Sequence, residues 1–272
     1  MIRKIVFVLL AVILVGVSIA SSFFMLNKNH VLYFNNTSQV YNETMQTMQI
    51  IVVPYFEPTS DMWQVIYDEA DKHQGTIKYV IINPCSGPCG PQLSQEWENV
   101  ISTLKEKRIK TLGYIFNDSV NFDNINYYMK DPLIPTDGIF FDNEGSVDNL
   151  NNFKMYAKYV HHLGGIVYIN PGYNYAHVKD YLKSGEVDVV NIHELDSSNS
   201  HQIVINDDFS PLKISVIVGN VTNLQKMQSE LTDIADKGIG TSYIYADSYF
   251  GLPPFFSDEI QKASVTKIQM MP

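Results

Sequence analysis

From residue 49 to residue 247 the chain alternates short apolar runs with longer amphipathic stretches. The runs are rich in β-branched and aromatic residues, and the stretches carry apolar positions at helical spacing. Such alternation is typical of parallel strands joined by crossover helices. Eight strands are predicted, at residues 50–55, 77–83, 111–116, 138–142, 166–170, 187–193, 213–218 and 242–247.

Five of the intervening stretches predict helices, at residues 60–73, 94–107, 149–163, 175–183 and 222–237. Glycine follows four of them, where a helix should end and a strand begin: Gly75, Gly164, Gly185 and Gly238. The unit at 121–130 is short, and the unit after Glu194 has no clear helical pattern.

Eight alternations fit either a closed (β/α)₈ barrel, the TIM barrel, or an open doubly wound sheet. The barrel is favoured by the polar residues at the carboxyl ends of the strands, because a barrel brings these ends together at one mouth. They are Tyr55, Asn83, Asn117, Asp142, Asn170, His193 with Glu194, Asn220 and Asp247. Residues 49–272 suit one such domain of the α/β class.

The amino-terminal segment, residues 1–26, predicts export. Arg3 and Lys4 precede an apolar stretch without charge, which suits either a cleaved signal peptide or an uncleaved transmembrane anchor. Residues 27–48 are expected to form a polar stalk. The domain is therefore predicted outside the cytoplasmic membrane, secreted or anchored to its outer face. Glycosylation triplets agree with this location, at Asn35, Asn36, Asn42, Asn117 and Asn220.

Charge and motif content limit the partners. The formal net charge of −10 makes nucleic acid a poor partner. The sequence has no glycine-rich phosphate loop, no Gly-x-Ser-x-Gly elbow and no His or Cys spacing suited to a metal. Neither a cofactor nor a metal is expected, and membrane contact is expected only through an uncleaved leader.

Carboxylates follow two of the predicted strands. Asp142 ends the fourth strand, Glu144 lies two residues beyond it, and Glu194 comes directly after the sixth strand. Strands two apart bring such groups within about 5 to 10 Å across a small barrel mouth, the range for hydrolysis of a glycosidic bond. We therefore predict these three residues as catalytic candidates.

Other polar and aromatic residues at the same strand ends are predicted to contact a sugar substrate. Amide, imidazole and carboxylate groups would hydrogen-bond it, and tyrosine rings would offer flat faces. These candidates are Tyr55, Asn83, Tyr114, Asn170, Tyr173, His193 and Asp247.

The loop after the second strand contains the only two cysteines, Cys85 and Cys89. Outside the cell, a pair of free thiols is not expected to persist. A disulfide between them, closing a small ring over the Gly-Pro turn, is the preferred interpretation.

These motifs together resemble the spherulin-4-like proteins, spherulation-specific family 4. The resemblance rests on Asn83-Pro-Cys-Ser-Gly-Pro88, on Asp137-Gly-Ile-Phe-Phe-Asp142, on Ile169-Asn-Pro-Gly172 and on Glu194. The motifs lie in order over nearly the whole domain, from about residue 50 to 247.

The resemblance implies a (β/α)₈ glycoside hydrolase that cleaves internal bonds of α-1,4-linked galactosamine or N-acetylgalactosamine polysaccharides. It also implies a triad of Asp142, the next residue, and Glu194. Here the sequence departs from the family, because the next residue is Asn143 and Glu144 comes one position later.

Two other functions remain open at the level of sequence. The first is a non-catalytic surface protein that binds glycans, which the Asn143 departure favours. The second is a structural cell-envelope protein, which the apolar leader and polar stalk allow.

Overall fold

The computed structural model describes residues 46–116, 119–130, 133–142, 150–171, 178–199 and 209–268. Its centre is a closed barrel of eight parallel strands, which pair in chain order. The barrel closes where Gln49 of the first of these strands pairs with Thr241 of the last. The strands are β2 (Gln49–Val52), β3 (Ile77–Ile82), β4 (Lys110–Phe116), β5 (Gly138–Asp142), β6 (Ile166–Asn170), β7 (Val189–Asp196), β8 (Ile214–Gly219) and β9 (Thr241–Ile244).

This closure confirms the barrel over the open sheet. Each of the eight predicted strands has a counterpart, and most bounds agree within two or three residues. At the last strand, β9 ends at Ile244, so Asp247 lies in the following loop.

Helices surround the barrel. They are α1 (Met62–Lys72), α2 (Gln95–Glu106), α3 (Phe122–Met129), α4 (Leu150–His162), α5 (Val178–Ser184), α6 (Leu224–Asp236) and α7 (Phe256–Val265). Between β7 and β8 the described residues contain only a 3₁₀ turn, Pro211–Lys213, which agrees with the indistinct pattern after Glu194.

Local sequence sets several helix ends. The side chains of Asn121 and Asn223 accept backbone N–H groups of Asn124 and Lys226 at 2.8 and 2.9 Å, which caps α3 and α6. Gly238, after α6, has φ +73°, a backbone conformation that favours glycine.

The barrel interior below the mouth is filled by aromatic rings. The Tyr168 ring centre lies 5.5 Å from that of Tyr79 and 5.2 Å from that of Phe140. These side chains are almost fully buried, so the lower barrel is a packed core and not a channel.

A short two-stranded sheet joins the ends of the domain opposite the mouth. β1 (Gln46–Thr47) pairs antiparallel with β10 (Lys267–Ile268). Met48 and Ile268 are fully buried. Residues 46–48, assigned to the stalk from sequence, thus pack within the domain, and neither this sheet nor α7 was predicted.

Several sequence predictions lie outside the described residues, including the leader at 1–26 and the stalk up to residue 45. Within the described ranges, no helix is long and apolar enough to cross a membrane.

Candidate active site

The two principal carboxylates lie on strands separated by one other strand. Asp142 is the last residue of β5, and Glu194 lies near the end of β7. Asn170 ends β6 between them and is paired in register with Asp142. The barrel therefore brings these three side chains together at its mouth.

The side-chain amide of Asn170 links both carboxylates. Its Nδ2 donates to Oδ1 of Asp142 at 2.8 Å and to Oε2 of Glu194 at 2.9 Å. Two oxygens that accept hydrogen bonds from one nitrogen at these distances lie less than about 6 Å apart. The two carboxyl groups of retaining glycosidases are separated by a similar distance, about 5 to 5.5 Å.

Asn170 is itself oriented by a buried hydrogen-bond chain. Asn191 Nδ2 donates to Oδ1 of Asn170 at 3.0 Å, and Ser215 Oγ donates to Oδ1 of Asn191 at 3.3 Å. All three residues are buried. This chain fixes which way the Asn170 amide points, so its N–H groups face the carboxylates. Asn170 was predicted to contact substrate, and here its amide positions the carboxylates.

An irregularity in β7 makes this arrangement possible. Asn191 and Glu194 are three residues apart, so in a regular strand their side chains would point to opposite faces. The pairing with β8 shifts register between Asn191 and His193. A bulge of this kind re-aims side chains, and here both Asn191 and Glu194 reach Asn170.

Two tyrosine hydroxyls also donate hydrogen bonds to these carboxylates. Tyr114 on β4 donates to Oδ2 of Asp142, and Tyr249 donates to Oε1 of Glu194 at 2.6 Å. Burial first, and then the neighbouring carboxylate, raises the pKa of both phenols far above the ordinary value. Both hydroxyls therefore stay protonated and donate throughout the physiological range. Tyr249 was not among the predicted site residues.

Tyr55 lies between these two tyrosines. Its ring centre is 5.8 Å from that of Tyr114 and 5.3 Å from that of Tyr249. Burial raises the pKa of Tyr55 to about 12, with Asp142 and Glu194 adding to the effect against a hydrogen bond with Tyr114 that lowers it. Together the three rings form an aromatic wall beside the carboxylate pair.

His193 precedes Glu194 on β7 and is half-buried. Burial lowers the pKa of its imidazole, so the ring is neutral at pH 7.

The disulfide loop follows β3, and the bond between Cys85 and Cys89 is present as predicted. Oδ1 of Asn83 accepts the N–H of Gly87 at 2.9 Å, so this predicted substrate contact braces the loop. The hydroxyl of Tyr127 on α3 donates to the Cys89 carbonyl at 2.8 Å.

Three predicted site residues remain, Asp247, Glu144 and Tyr173. Asp247 is exposed in the loop after β9, and within the described residues no hydrogen bond joins it to Asp142 or Glu194. Glu144 and Tyr173 lie outside the described residues, as does Asn143. Among the residues that the structure covers, no three His, Cys, Asp or Glu side chains are grouped to hold a metal ion.

Comparison with known proteins gives one family. The sequence model of a protein family described as "Spherulation-specific family 4" matches residues 49–261. A search of curated protein sequences finds no match.

Solved structures share the fold at low sequence identity. Sph3 of Aspergillus clavatus, solved in complex with GalNAc, has a TM-score of 0.65 and 18% identity, over 80% of this chain and 98% of its own. A GH18 chitinase from Pseudoalteromonas aurantia has a TM-score of 0.52 and 10% identity, over 78% of this chain and 97% of its own. The Bacillus cereus spore cortex-lytic enzyme SleL has a TM-score of 0.50 and 12% identity, over 84% and 76%.

Proposed function

This chain belongs to spherulation-specific family 4, and from that premise we propose that it is a glycoside hydrolase acting on a polysaccharide at the barrel mouth. Asp142 and Glu194 are its catalytic pair. The substrate is an α-1,4-linked galactosamine or N-acetylgalactosamine polymer, cleaved at internal bonds. The protein works outside the cytoplasmic membrane, secreted or anchored by residues 1–26.

The observation that carries this proposal is the carboxylate pair on Asn170. Glycoside hydrolysis commonly uses a pair of carboxyl groups that flank the scissile bond. One donates a proton to the departing oxygen, and the other attacks the anomeric carbon. Asp142 and Glu194 are held at the mouth with oxygens less than about 6 Å apart, which suits that division of work.

The chemistry proceeds in two steps. The Asp142 carboxylate attacks the anomeric carbon while Glu194 gives its proton to the departing glycosidic oxygen, leaving a glycosyl ester on Asp142. Glu194 then takes a proton from water, whose oxygen attacks the anomeric carbon and releases Asp142. The hydroxyls of Tyr114 and Tyr249 hold the two carboxyl groups in place, and the mechanism needs no cofactor.

The choice of amino sugar is supported by similarity. Sph3, which shares this fold over most of its length, was solved with GalNAc bound. The motifs around Asn83 and Asp142 resemble those of family members that cleave galactosamine polymers. The aromatic wall of Tyr55, Tyr114 and Tyr249 gives the mouth flat apolar surfaces on which a sugar ring can lie.

A second function, glycan binding without turnover, is favoured by one observation. Asn143 stands where the family pattern has an acidic residue directly after Asp142. A protein that lost one carboxylate of three would keep the barrel and the sugar-binding surface.

The test is product release by the full-length protein. Acetylated and de-N-acetylated α-1,4-galactosamine polymers are incubated with wild type, Asp142→Asn and Glu194→Gln, and new reducing ends are counted. We expect turnover by wild type and a loss of at least about a hundredfold in each variant. Glu106→Gln, an exposed carboxylate at the end of α2, is the control and should retain wild-type rates.

Two results would redirect the assignment. Binding of the polymer without new reducing ends favours the glycan-binding function. Turnover that survives both Asp142→Asn and Glu194→Gln shows that another pair carries the chemistry.

A further inference from the structure

The loop after β9 points two neighbouring aromatic side chains in different directions. Tyr249 turns inward and donates its hydroxyl to Glu194. Phe250 turns outward and is 73% exposed, more than Phe122, the other exposed aromatic among the described residues, at 39%. The ring centre of Phe250 lies 6.4 Å from that of Tyr55, at an interplanar angle of 78°.

Contacts on both sides fix this loop, so the exposure of Phe250 does not reflect a loose segment. The backbone N–H of Tyr55 donates to the carbonyl of Tyr249 at 2.8 Å. Further along, the N–H of Phe256 donates to the Pro253 carbonyl at 2.9 Å. Phe255 and Phe256 are buried, 4% and 2% exposed, so they anchor the far end of the loop in the core.

Position, and not exposure alone, distinguishes Phe250. Isolated exposed apolar residues are common on protein surfaces. Val265, 68% exposed, is one of these, and it lies at the end of α7 away from the mouth. Phe250 instead packs on Tyr55, whose ring contacts that of Tyr249, so one ring separates it from the side chain bonded to Glu194.

We propose that Phe250 forms a sugar-stacking subsite. It would hold one pyranose ring of the polymer next to the sugar residue that is bound at Asp142 and Glu194. This inference rests on the proposed function. The C–H face of a pyranose packs on a phenyl ring, and the π face also attracts the ammonium group of a de-N-acetylated amino sugar. Because the loop is already fixed, binding loses little conformational freedom there.

Such a subsite acts on affinity and leaves the chemical step alone. A stacked ring outside the scissile bond is bound equally in the ground and transition states, so its loss raises KM and leaves kcat unchanged. Loss of the subsite should therefore change KM without changing kcat. A structural defect in the loop would not give this result, since displacement of Tyr249 would lower kcat.

The experiment compares full-length wild type, Phe250→Ala, Phe250→Tyr and Phe250→Trp on soluble α-1,4-galactosamine polymer. We expect Phe250→Ala to raise KM about five- to tenfold with kcat within about twofold, and both aromatic variants to restore KM. Val265→Ala is the matched control for loss of an exposed apolar side chain and should match wild type. Calorimetric binding in the Asp142→Asn background should show the same rise in Kd.

The outcomes separate this inference from the proposed function. If wild type cleaves or binds the polymer and Phe250→Ala has unchanged KM and Kd, the subsite is wrong and the proposed function stands. A fall in kcat at unchanged KM also overturns the subsite, because it assigns Phe250 to support of the loop. If wild type neither cleaves nor binds, the proposed function fails and the subsite fails with it.

Discussion

Asp142 and Glu194 accept hydrogen bonds from the same nitrogen atom, Nδ2 of Asn170, at 2.8 and 2.9 Å. The two oxygens that accept these hydrogen bonds therefore lie less than about 6 Å apart, nearer to the spacing of about 5 to 5.5 Å in retaining glycosidases than to the spacing of about 6.5 to 9.5 Å in inverting ones. For the proposed hydrolase, this spacing favours a retaining mechanism.

We predict that the first-formed reducing end keeps the anomeric configuration of the cleaved bond. Formation of the glycosyl ester on Asp142 inverts the anomeric carbon once, and its hydrolysis inverts that carbon again. Proton NMR in the first minutes of the reaction distinguishes the anomers before they equilibrate. An equilibrated sample of the same product serves as control, and an inverted first product would contradict the double displacement.

Removal of the shared donor should disorganise the pair. Asn170→Ala leaves both carboxylates without this N–H contact and leaves the buried Asn191 amide without its acceptor. We expect kcat to fall by about ten- to a hundredfold, since misplaced catalytic groups lose rate steeply. Steady-state kinetics measures this, and Asn99→Ala, an exposed amide on α2, should have wild-type kcat.

The Tyr249 hydroxyl should contribute to the rate through Glu194. Hydrogen bonds to charged groups are worth about 1.5 to 3 kcal/mol, so Tyr249→Phe should lower kcat/KM by about ten- to a hundredfold. Tyr159→Phe removes a hydroxyl that donates to Asn126 on α3 at 2.7 Å, and its kcat/KM should stay at the wild-type value. An unchanged rate in Tyr249→Phe would show that this bond does not serve catalysis.

The disulfide should stabilise the fold modestly because it closes a ring of only a few residues. The loop-closure relation gives about 2 kcal/mol for so short a loop. The double variant with Cys85→Ser and Cys89→Ser should lower the free energy of unfolding by about this amount in urea titrations. Reduced wild type is the control and should match the double variant. A loss well below 1 kcal/mol would contradict the prediction.

Glu259 on α7 should make stability depend on pH. It is fully buried, Oε1 accepts the Ile244 N–H at 2.9 Å, and Oε2 has no hydrogen-bond partner among the described residues. Burial raises the pKa of this carboxyl from 4.5 to about 8. The folded state therefore holds a proton that the unfolded state releases between these values, and stability falls as pH rises through that window.

Urea unfolding at pH 5 and pH 8.5 tests this point. Glu259→Gln cannot ionise, so its stability relative to wild type should increase between the two pH values by on the order of a few kcal/mol. Glu106→Gln should follow wild type at both. Equal pH dependence in wild type and Glu259→Gln would show that Glu259 does not hold its proton.

The barrel was readable from sequence because its strands are covered on both faces and so form apolar runs that end in polar residues. Helix α7 was missed, since Glu259 interrupts the apolar face made by Phe256, Ile260 and Ala263. The two-residue strands β1 and β10 are too short to carry any periodic pattern.

For the site, Asp142 and Glu194 were identifiable because each lies at the carboxyl end of an apolar strand. Tyr249 was not, because its partner Glu194 lies 55 residues earlier and no local pattern links them. The role of Asn170 depends on the register shift in β7, which arises from three-dimensional pairing with β8 and leaves no mark in the order of residue types.

The antiparallel pair of β1 and β10 sets Gln46 directly opposite Ile268, at the end of the barrel away from the carboxylates. The first and last strands of the domain thus lie side by side, so that its two ends are close together. A short linker between these positions, with new ends opened in a surface loop, would give a circular permutant in which every hydrogen bond around Asn170 is retained. Fusion partners joined at Gln46 or Ile268 would likewise attach on the side opposite the barrel mouth.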